Sequence, residues 1–365
     1  MALLERTPLR RIGLAAALAA TTAMVLAGCA TSPTDEGTES EDGTPSYGEI
    51  SLQYSWIKNE EFAGEFYAEE NGYYEEAGFD KVYGISGPNT GVAVLLSNTA
   101  QVALSDAASI GAAIAEQDAP LKIIGATFQK NPFTILSLAD GGNIQTPEDL
   151  KGKRIGVQDS NASVFQALLN ANDIDISELT VVPVEFDPTP LTNGEVDGFM
   201  AYLTNESVTV EMSGYEVTNL AYADNGVPYV AEAYSVTDQY LAENRELLKA
   251  FLIAEIKGWT DVFKEPAADT VSLITKYYDQ ATADGELTFG PLDPAKTEAA
   301  LAAQLLLIST DETQANGLFT ISDSLKAESI ASLKAAGWDL TEDQLFDTSI
   351  IDEIYEEYPE LKVYR

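Results

Sequence analysis

The stretch TPEDLKGKRIGVQDSNASVFQALLNANDIDISELTVVPVEF, residues 146–186, decides the fold class. It opens with a helix-cap signal and a glycine turn, and the apolar run that ends at Val157 predicts a buried strand. Residues 164–172 have the apolar spacing of a helix, and residues 179–186 predict a second strand. Strands separated by helices of about ten residues indicate an α/β fold with parallel sheets and helices on both faces.

The same alternation of strands and helices extends in both directions from this stretch. It runs from Ile50 to about residue 235, and the chain is mainly helical after that. Ligands of open α/β sheets bind where strands end and helices begin. We therefore take the polar and aromatic loops at such places as candidate binding loops: Trp56–Gly64, Gly84–Thr90, Ser105–Ser109, Gln158–Ser163, Tyr202–Glu206 and Asp224–Tyr229.

Composition excludes many functions. The 365 residues include 20 Lys and Arg against 59 Asp and Glu, a net charge of −39, so nucleic acid is not an expected partner. There is no histidine and only one cysteine, which removes imidazole catalysis, His-ligated metals, thiolate clusters and intrachain disulfides. The acidic excess predicts a hydrated, self-repelling surface, either as an adaptation to high salt or as that of an ordinary acidic exported protein.

The N-terminal segment predicts export and lipidation. Residues 1–28 combine a basic start with an apolar run from Ile12 to Leu26, which is shorter than the ~20 residues of a spanning helix. Leu26–Cys29 resembles the lipobox of bacterial lipoproteins, which implies that Cys29 is the lipidated N-terminus. The alternative is an ordinary cleavage site beside a chance cysteine. Residues 29–48, rich in Thr, Ser, Gly and acids, predict a flexible linker on the membrane surface.

Five motifs in order carry a resemblance to a protein family. They are WIKNEEFAGEFYAEENGYYEEAGF (56–79), SGPN (86–89), TPEDLKGKRIGV (146–157), LTNGEVDGFMAYLTNE (191–206) and DNGVPYVAEAYSVT (224–237). Together they resemble bacterial solute-binding proteins of the family shared with thiamine-pyrimidine synthases and sulfonate-type binding proteins. The resemblance implies a bilobed periplasmic-binding-protein type II fold, or Venus flytrap, with two doubly wound lobes joined by two hinge crossings. Lobe one would hold 49–135 and 236–365, and lobe two 136–235.

The resemblance implies a receptor that passes a small molecule to an ABC permease and ATPase. The chain would be monomeric, held at the extracytoplasmic face of the membrane only by its lipid, without a cofactor. From Ile155 to Asn244 there is no Lys or Arg, which favours a neutral aromatic ligand over an anion. We rank thiamine-pyrimidine precursors first, riboflavin-like flavins second and alkanesulfonates third. A surface sensor with the same fold is the alternative from another class.

Candidate ligand contacts lie in the loops named above, each with a structural alternative. Trp56 could stack on a heterocycle or pack in the core, and Asn59 and Asn89 could bind ring nitrogens or shape turns. Ser105, Asp106, Ser160 and Asn161 could contact ligand or cap helices. Tyr202, Asn205 and Glu206 form the group that best suits an aminopyrimidine, although Glu206 could instead be solvated. Glu60 and Glu61 are expected to be a solvated helix start. Two further candidates, Pro88 and Phe62, follow from the resemblance.

The resemblance also has an enzyme branch, and this chain departs from it. The pyrimidine synthases use lysine-bound pyridoxal phosphate, a sacrificial histidine and a cysteine-rich motif. Phe62 stands in the place of that histidine, and the chain has neither a histidine nor a second cysteine. A carboxylate-based glycosidase is the generic alternative, but 59 acidic residues make any acid pair a poor signal. We therefore expect a binding protein and not an enzyme.

Overall fold

Two five-stranded sheets form the framework of the protein. The computed structural model describes residues 38–39, 45–87, 91–287 and 290–365. Its strands are β1 (Thr38–Glu39), β2 (Pro45–Ser46), β3 (Gly48–Gln53), β4 (Phe79–Ile85), β5 (Val102–Ser105), β6 (Leu121–Phe128), β7 (Phe133–Leu138), β8 (Arg154–Val157), β9 (Thr180–Pro183), β10 (Gly198–Tyr202), β11 (Val217–Ala221) and β12 (Ala231–Thr237). The first sheet has the order β4-β3-β5-β12-β6 and the second β11-β7-β10-β8-β9.

Both sheets are mixed, whereas the spacing of strands and helices predicted parallel ones. In the first sheet β12 is antiparallel to β5 and β6, and in the second β7 is antiparallel to β10 and β11. The remaining pairs in both sheets are parallel. β7 and β12, the strands that account for the antiparallel pairs, each follow directly on a passage between the sheets. Neither passage contains an α-helix. The helical spacing that implies parallel pairing is absent there.

The helices vary from one turn to more than five. They are α1 (Ala63–Glu70), α2 (Tyr73–Glu76), α3 (Val92–Leu96), α4 (Ala107–Gln117), α5 (Ala162–Ala171), α6 (Thr189–Thr192), α7 (Glu206–Met212), α8 (Asp238–Glu243), α9 (Arg245–Lys264), α10 (Ala267–Ala283), α11 (Pro294–Ile308), α12 (Asp311–Asn316), α13 (Asp323–Ala335), α14 (Glu342–Leu345) and α15 (Ser349–Glu357). Short 3-10 helices cover Glu60–Phe62, Pro147–Leu150, Asp159–Asn161, Ile176–Glu178, Tyr222–Asp224 and Pro359–Lys362. Within the described residues, no helix has the length and apolar character needed to cross a membrane.

The chain passes between the two sheets twice, through residues 129–132 and 222–230. Asn131 joins the two passages, because its buried side chain donates to the Val227 carbonyl at 2.9 Å and accepts from the Phe133 amide at 3.0 Å. By strand pairing, residues 133–138 belong to the second sheet and residues 231–237 to the first. The last helices are not confined to the first sheet, because α13 packs against both α4 and α5.

Two glycines let α1 and α9 approach closely beneath the first sheet. A Cβ on Gly258 would lie 2.1 Å from the Gly64 carbonyl oxygen, and a Cβ on Gly64 would overlap the buried Trp259 ring. Any larger residue would separate the helices. This close packing fixes the start of α1 and with it the preceding turn, which carries Glu60 and Glu61.

Cys29 and the predicted signal segment 1–28 lie outside the described residues. Of the predicted linker 29–48, residues 38–39 pair with 45–46 as a short antiparallel ladder, and Gly48 begins β3. Such pairing uses only backbone groups, so it needs no apolar periodicity.

Candidate functional site

A cleft of about 670 Å³, including its opening, lies where loops from both sheets meet. The first sheet contributes residues that follow β3 and β5 and one residue of β12, and the second contributes residues at the ends of β8 and β10. Sixteen residues line it: Ser55, Trp56, Glu61, Ser105, Asp106, Phe133, Gln158, Ser160, Asn161, Phe186, Met200, Ala201, Tyr202, Asn205, Glu206 and Glu232.

The structure brings most of the predicted site residues together in this cleft. Those that line it are Trp56, Ser105, Asp106, Ser160, Asn161, Tyr202, Asn205 and Glu206. They come from four of the six candidate loops, which are distant in sequence. Strand ends that share one edge of a sheet place their loops side by side, which is the physical basis of the prediction.

Four predicted residues are not among those that line the cleft. Asn59 is buried and caps the following turn, accepting from the Glu61 amide at 3.1 Å, so turn geometry accounts for it. Phe62 is fully buried and stacks on Tyr54 with ring centroids 4.3 Å apart, which makes it a core residue. Pro88 and Asn89 lie outside the described residues.

Two aromatic pairs give the cleft its apolar walls. Trp56, after β3, meets Phe186, after β9, edge to face with centroids 4.2 Å apart. Phe133 and Tyr202, at the facing ends of β7 and β10, form a similar pair at 4.6 Å. Trp56 also packs against the core of the first sheet, so both alternatives weighed for it apply. Edge-to-face pairs leave ring faces available to a planar ligand.

Asp106 and Glu206 line the cleft and also bind backbone amides. Asp106 caps α4 by accepting from the amides of Ala108 and Ser109, both at 2.9 Å. Glu206, at the start of α7, accepts from the Tyr202 amide at 2.8 Å and is only 8% exposed, so it is not solvated. Burial raises the pKa of both carboxyl groups, and these hydrogen bonds oppose the rise.

Glu60 and Glu61 are buried, which corrects the prediction of a solvated helix start. They are 3% and 2% exposed, because the packing of α1 under the first sheet draws this turn inside. Burial raises the pKa of Glu60 to about 7, and it raises the pKa of Glu61 well above its ordinary value, with further repulsion from Glu232. Only Glu61 of the two lines the cleft.

Glu232 is the most unusual residue of the site in its burial and backbone conformation, and it was not among the predicted site residues. It lies inside β12, is 1% exposed and has a φ of +44°, a backbone conformation that costs a non-glycine residue about 1–3 kcal/mol. The Ser55 hydroxyl, 2.8 and 2.7 Å from its two oxygens, is a donor to it. Burial raises the pKa of Glu232 to about 8. A single acid within the apolar run VPYVAEAY was the available signal.

The other lining residues that were missed are mostly apolar or amide side chains, namely Phe133, Gln158, Phe186, Met200 and Ala201. Gln158 donates to the Met200 carbonyl at 3.0 Å and accepts from Asn161 at 3.1 Å, so it joins β8, β10 and the start of α5. Gln158 belongs to a candidate loop, but Phe133 and Phe186 carry no signal beyond being aromatic residues beside strands.

Asn205 connects the second sheet's side of the cleft to α11. Its side-chain oxygen accepts from the Lys296 ammonium at 2.8 Å. Lys296 is not among the lining residues, and within the described part of the chain no Lys or Arg is. Nor do the described residues include a group of His, Cys, Asp and Glu arranged to hold a metal ion.

The chain is similar in sequence to two named binding proteins and to one named synthase. The chain is 26% identical over 237 residues to the riboflavin-binding protein RibY of Chloroflexus aurantiacus, covering 61% of this chain and 64% of RibY. It is 24% identical to the formylaminopyrimidine-binding protein of Halalkalibacterium halodurans, covering 60% and 67%. It is 25% identical to the 4-amino-5-hydroxymethyl-2-methylpyrimidine phosphate synthase of Schizosaccharomyces pombe, covering 55% and 62%. The chain thus spans somewhat under two thirds of the length of RibY.

Solved structures confirm the predicted fold. A protein of Bordetella bronchiseptica covers 85% of this chain and 98% of its own with a TM-score of 0.66 at 14% identity. The periplasmic aliphatic sulphonate binding protein SsuA of Escherichia coli covers 79% and 91% with a TM-score of 0.58 at 14% identity. The α/β periplasmic-binding-protein fold is therefore shared. The model of the family described as "NMT1/THI5 like" matches residues 59–269, more than half of the chain. This protein belongs to the NMT1/THI5-like family, as the five motifs predicted.

Proposed function

We propose that this protein is the extracytoplasmic solute-binding component of an ABC importer and that it binds a small aromatic heterocycle of the thiamine-pyrimidine type. The observation that carries the proposal is the cleft itself. Loops of both sheets line it, and aromatic residues from both sheets stand at its walls. A planar ring of pyrimidine size fits between such walls.

The mechanism follows from the two passages of chain between the sheets. Ligand held by Trp56 on one side and Tyr202 on the other would favour the closed arrangement, since only that arrangement makes both contacts. A permease that binds the closed form preferentially would then accept loaded receptor. In this account the first sheet belongs to lobe one and the second to lobe two. Compared with the predicted bounds, strand pairing then assigns residues 133–135 to lobe two and residues 231–235 to lobe one.

Riboflavin is the second candidate ligand, because RibY is a relative at 26% identity. Alkanesulfonates are less suited, since no Lys or Arg among the described residues lines the cleft to pair with the anion. A chain without histidine and with one cysteine supports a binding role over the synthase chemistry of the yeast relative. We also propose that the receptor is monomeric and that Cys29 carries its lipid anchor.

Thermal shift with native mass spectrometry of the purified protein tests the proposal. The panel holds aminopyrimidines, thiamine, riboflavin and alkanesulfonates. At a hundredfold excess over Kd, a ligand should stabilise the protein by about 2.7 kcal/mol, which is several degrees of Tm. Trp56→Ala should abolish the shift, whereas the exposed-site control Tyr358→Ala should retain it. No shift and no bound mass with any compound would contradict the proposal.

A further inference from the structure

Four carboxyl groups line the cleft, an unusual number for a site that takes a neutral ring. Glu61, Asp106, Glu206 and Glu232 are each between 1% and 9% exposed. In the part of the chain that the structure describes, none of them forms an ion pair with Lys or Arg. Buried carboxylates without a positive partner carry a large desolvation cost.

Two basic residues close to lining residues have partners other than the four cleft acids. Lys296 donates to the Asn205 side chain at 2.8 Å, and Lys58 pairs with Glu286 at 3.0 Å. Lys296 lowers the pKa of Glu60 and Glu206, whereas the charges with the largest influence on Glu61 and Glu232 are those of other acids. The described residues therefore provide no positive charge that would keep these two acids ionised, in agreement with the raised pKa of both.

Glu61 is distinguished by an oxygen that the protein leaves without a partner. Among the described residues, Glu60, Glu61 and Glu65 each have one buried carboxyl oxygen with no hydrogen-bond partner. Only Glu61 of the three lines the cleft. Asp106, Glu206 and Glu232 each accept at least one hydrogen bond from the protein, and a hydrogen bond from the Asn59 side chain lowers the pKa of Glu61. Glu61 is thus the described lining residue that carries a buried carboxyl oxygen without a partner, Oε2.

We propose that the cleft selects a positively charged nitrogen heterocycle, with Glu61 binding its cationic N–H group and Glu232 as the neighbouring acid. This inference rests on the proposed function and adds the charge of the ligand to it. The aromatic walls suit such a ligand, since Trp56, Phe186 and Tyr202 attract cations through their ring faces. A protonated amino-heterocycle meets both requirements, because it is flat and offers charged donors at its edge. Neutral rings offer Glu61 a hydrogen bond without opposite charge, and anionic rings add repulsion.

A pair of ligands that differ only in charge tests the proposal. The hydroxymethyl aminopyrimidine named in the synthase relative is neutral at its substituent, and its aminomethyl analogue carries an ammonium group on the same ring. We expect calorimetry on the full chain at neutral pH to give a Kd for the aminomethyl compound on the order of 10- to 100-fold lower. The Glu61→Gln variant should lose most of this preference while keeping its affinity for the hydroxymethyl compound within about threefold.

Glu255→Gln is the matched control, because Glu255 is a fully buried acid that does not line the cleft. It should keep the wild-type preference. Equal affinities for the two compounds, or an equal loss of both in Glu61→Gln, would overturn the inference. Tight binding of riboflavin or an alkanesulfonate with no effect of Glu61→Gln would overturn it too, while a receptor function stands. No binding of any compound would overturn both proposals.

Discussion

Two groups of buried acids in this protein experience similar burial but differ in what the fold provides for them. In the core of the first sheet, Glu65 and Glu255 are at most 1% exposed. The Tyr234 hydroxyl lies 2.8 Å from Glu65 Oε1 and 3.4 Å from Glu255 Oε2, and the Tyr74 hydroxyl donates to Glu255 at 2.5 Å. We call Glu65 and Glu255 the core pair. The protein itself supplies donors to both members.

The acids of the cleft also accept hydrogen bonds from the protein. However, one of their oxygens has no donor, and none of these acids forms an ion pair with Lys or Arg among the described residues. Asp106 and Glu206 accept from backbone amides, Glu232 accepts from the hydroxyls of Ser55 and Tyr202, and Glu61 Oε2 has no partner. Glu65 Oε2 also lacks one, yet Glu65 does not line the cleft. Burial alone therefore does not identify a binding residue. The feature that marks Glu61 is a carboxyl oxygen without a donor on a residue that lines a cavity.

The largest expected effect is on the pH dependence of stability. Burial raises the pKa of Glu65 to about 7 and of Glu232 to about 8, both above the unfolded value near 4.5. The folded state therefore holds more protons, so its stability is fully present below the unfolded pKa and is lost as pH rises through the folded values. We expect the unfolding free energy to fall by roughly 6 kcal/mol between pH 5 and 8.

Denaturant unfolding across that pH range measures this effect and divides it between the two groups. Glu65→Gln removes one titrating acid of the core pair, and Glu232→Gln removes one of the cleft. Each should flatten the profile in part, with the Glu232→Gln change centred at the higher pH. An unfolding free energy that is constant from pH 5 to 8 in the unmodified protein would contradict the burial argument.

The next prediction compares the loss of stability when an acid of the core pair is truncated with the loss when an acid of the cleft is truncated. Glu255→Ala leaves a cavity and deprives the Tyr74 hydroxyl of its acceptor, so we expect a loss of about 3 kcal/mol. Glu61→Ala removes repulsion from Glu232 and opens onto the cleft, so its cost without ligand should be under about 1 kcal/mol. Urea unfolding at neutral pH measures both. Equal losses would mean that Glu61 is a structural acid like Glu255.

The smallest effect concerns Asp106, the cleft acid with the most protein donors. Asp106→Ala should lower stability by about 1 kcal/mol, because α4 loses its cap. Asp106→Asn keeps an acceptor for the same amides and should cost less than half as much. Thermal unfolding of the two variants side by side measures the difference. If Asn and Ala are equally costly, the carboxylate charge rather than the cap determines stability at this position.

The sequence was sufficient for the fold and for much of the cleft, for a physical reason. Strand and helix periodicity located the elements, and ligand loops collect at strand ends, so Trp56, Ser160 and Tyr202 were found from their positions alone. Strand direction was not readable where a passage between the sheets carries no α-helix, which is why mixed sheets were predicted as parallel.

The residues that were missed depend on tertiary packing. Glu61 was expected at a solvated helix start, because two acids at the beginning of a helix are ordinarily exposed. Helix α11 packs on this turn, where Gln304 donates to the Glu60 carbonyl, and both acids are buried. Glu232 lies within a strand, where the periodic pattern predicts only core, and its positive φ is invisible in the sequence. The acidic lining of the cleft, on which the proposed charge of the ligand rests, therefore emerged only from the structure.

A crystal structure of the protein with the aminomethyl aminopyrimidine tests the central claim most directly. We expect the ligand ring to lie between Trp56 and Tyr202, with a ligand nitrogen within about 3.2 Å of the Glu61 carboxylate. A ligand held only by backbone amides, or bound outside the cleft, would contradict it.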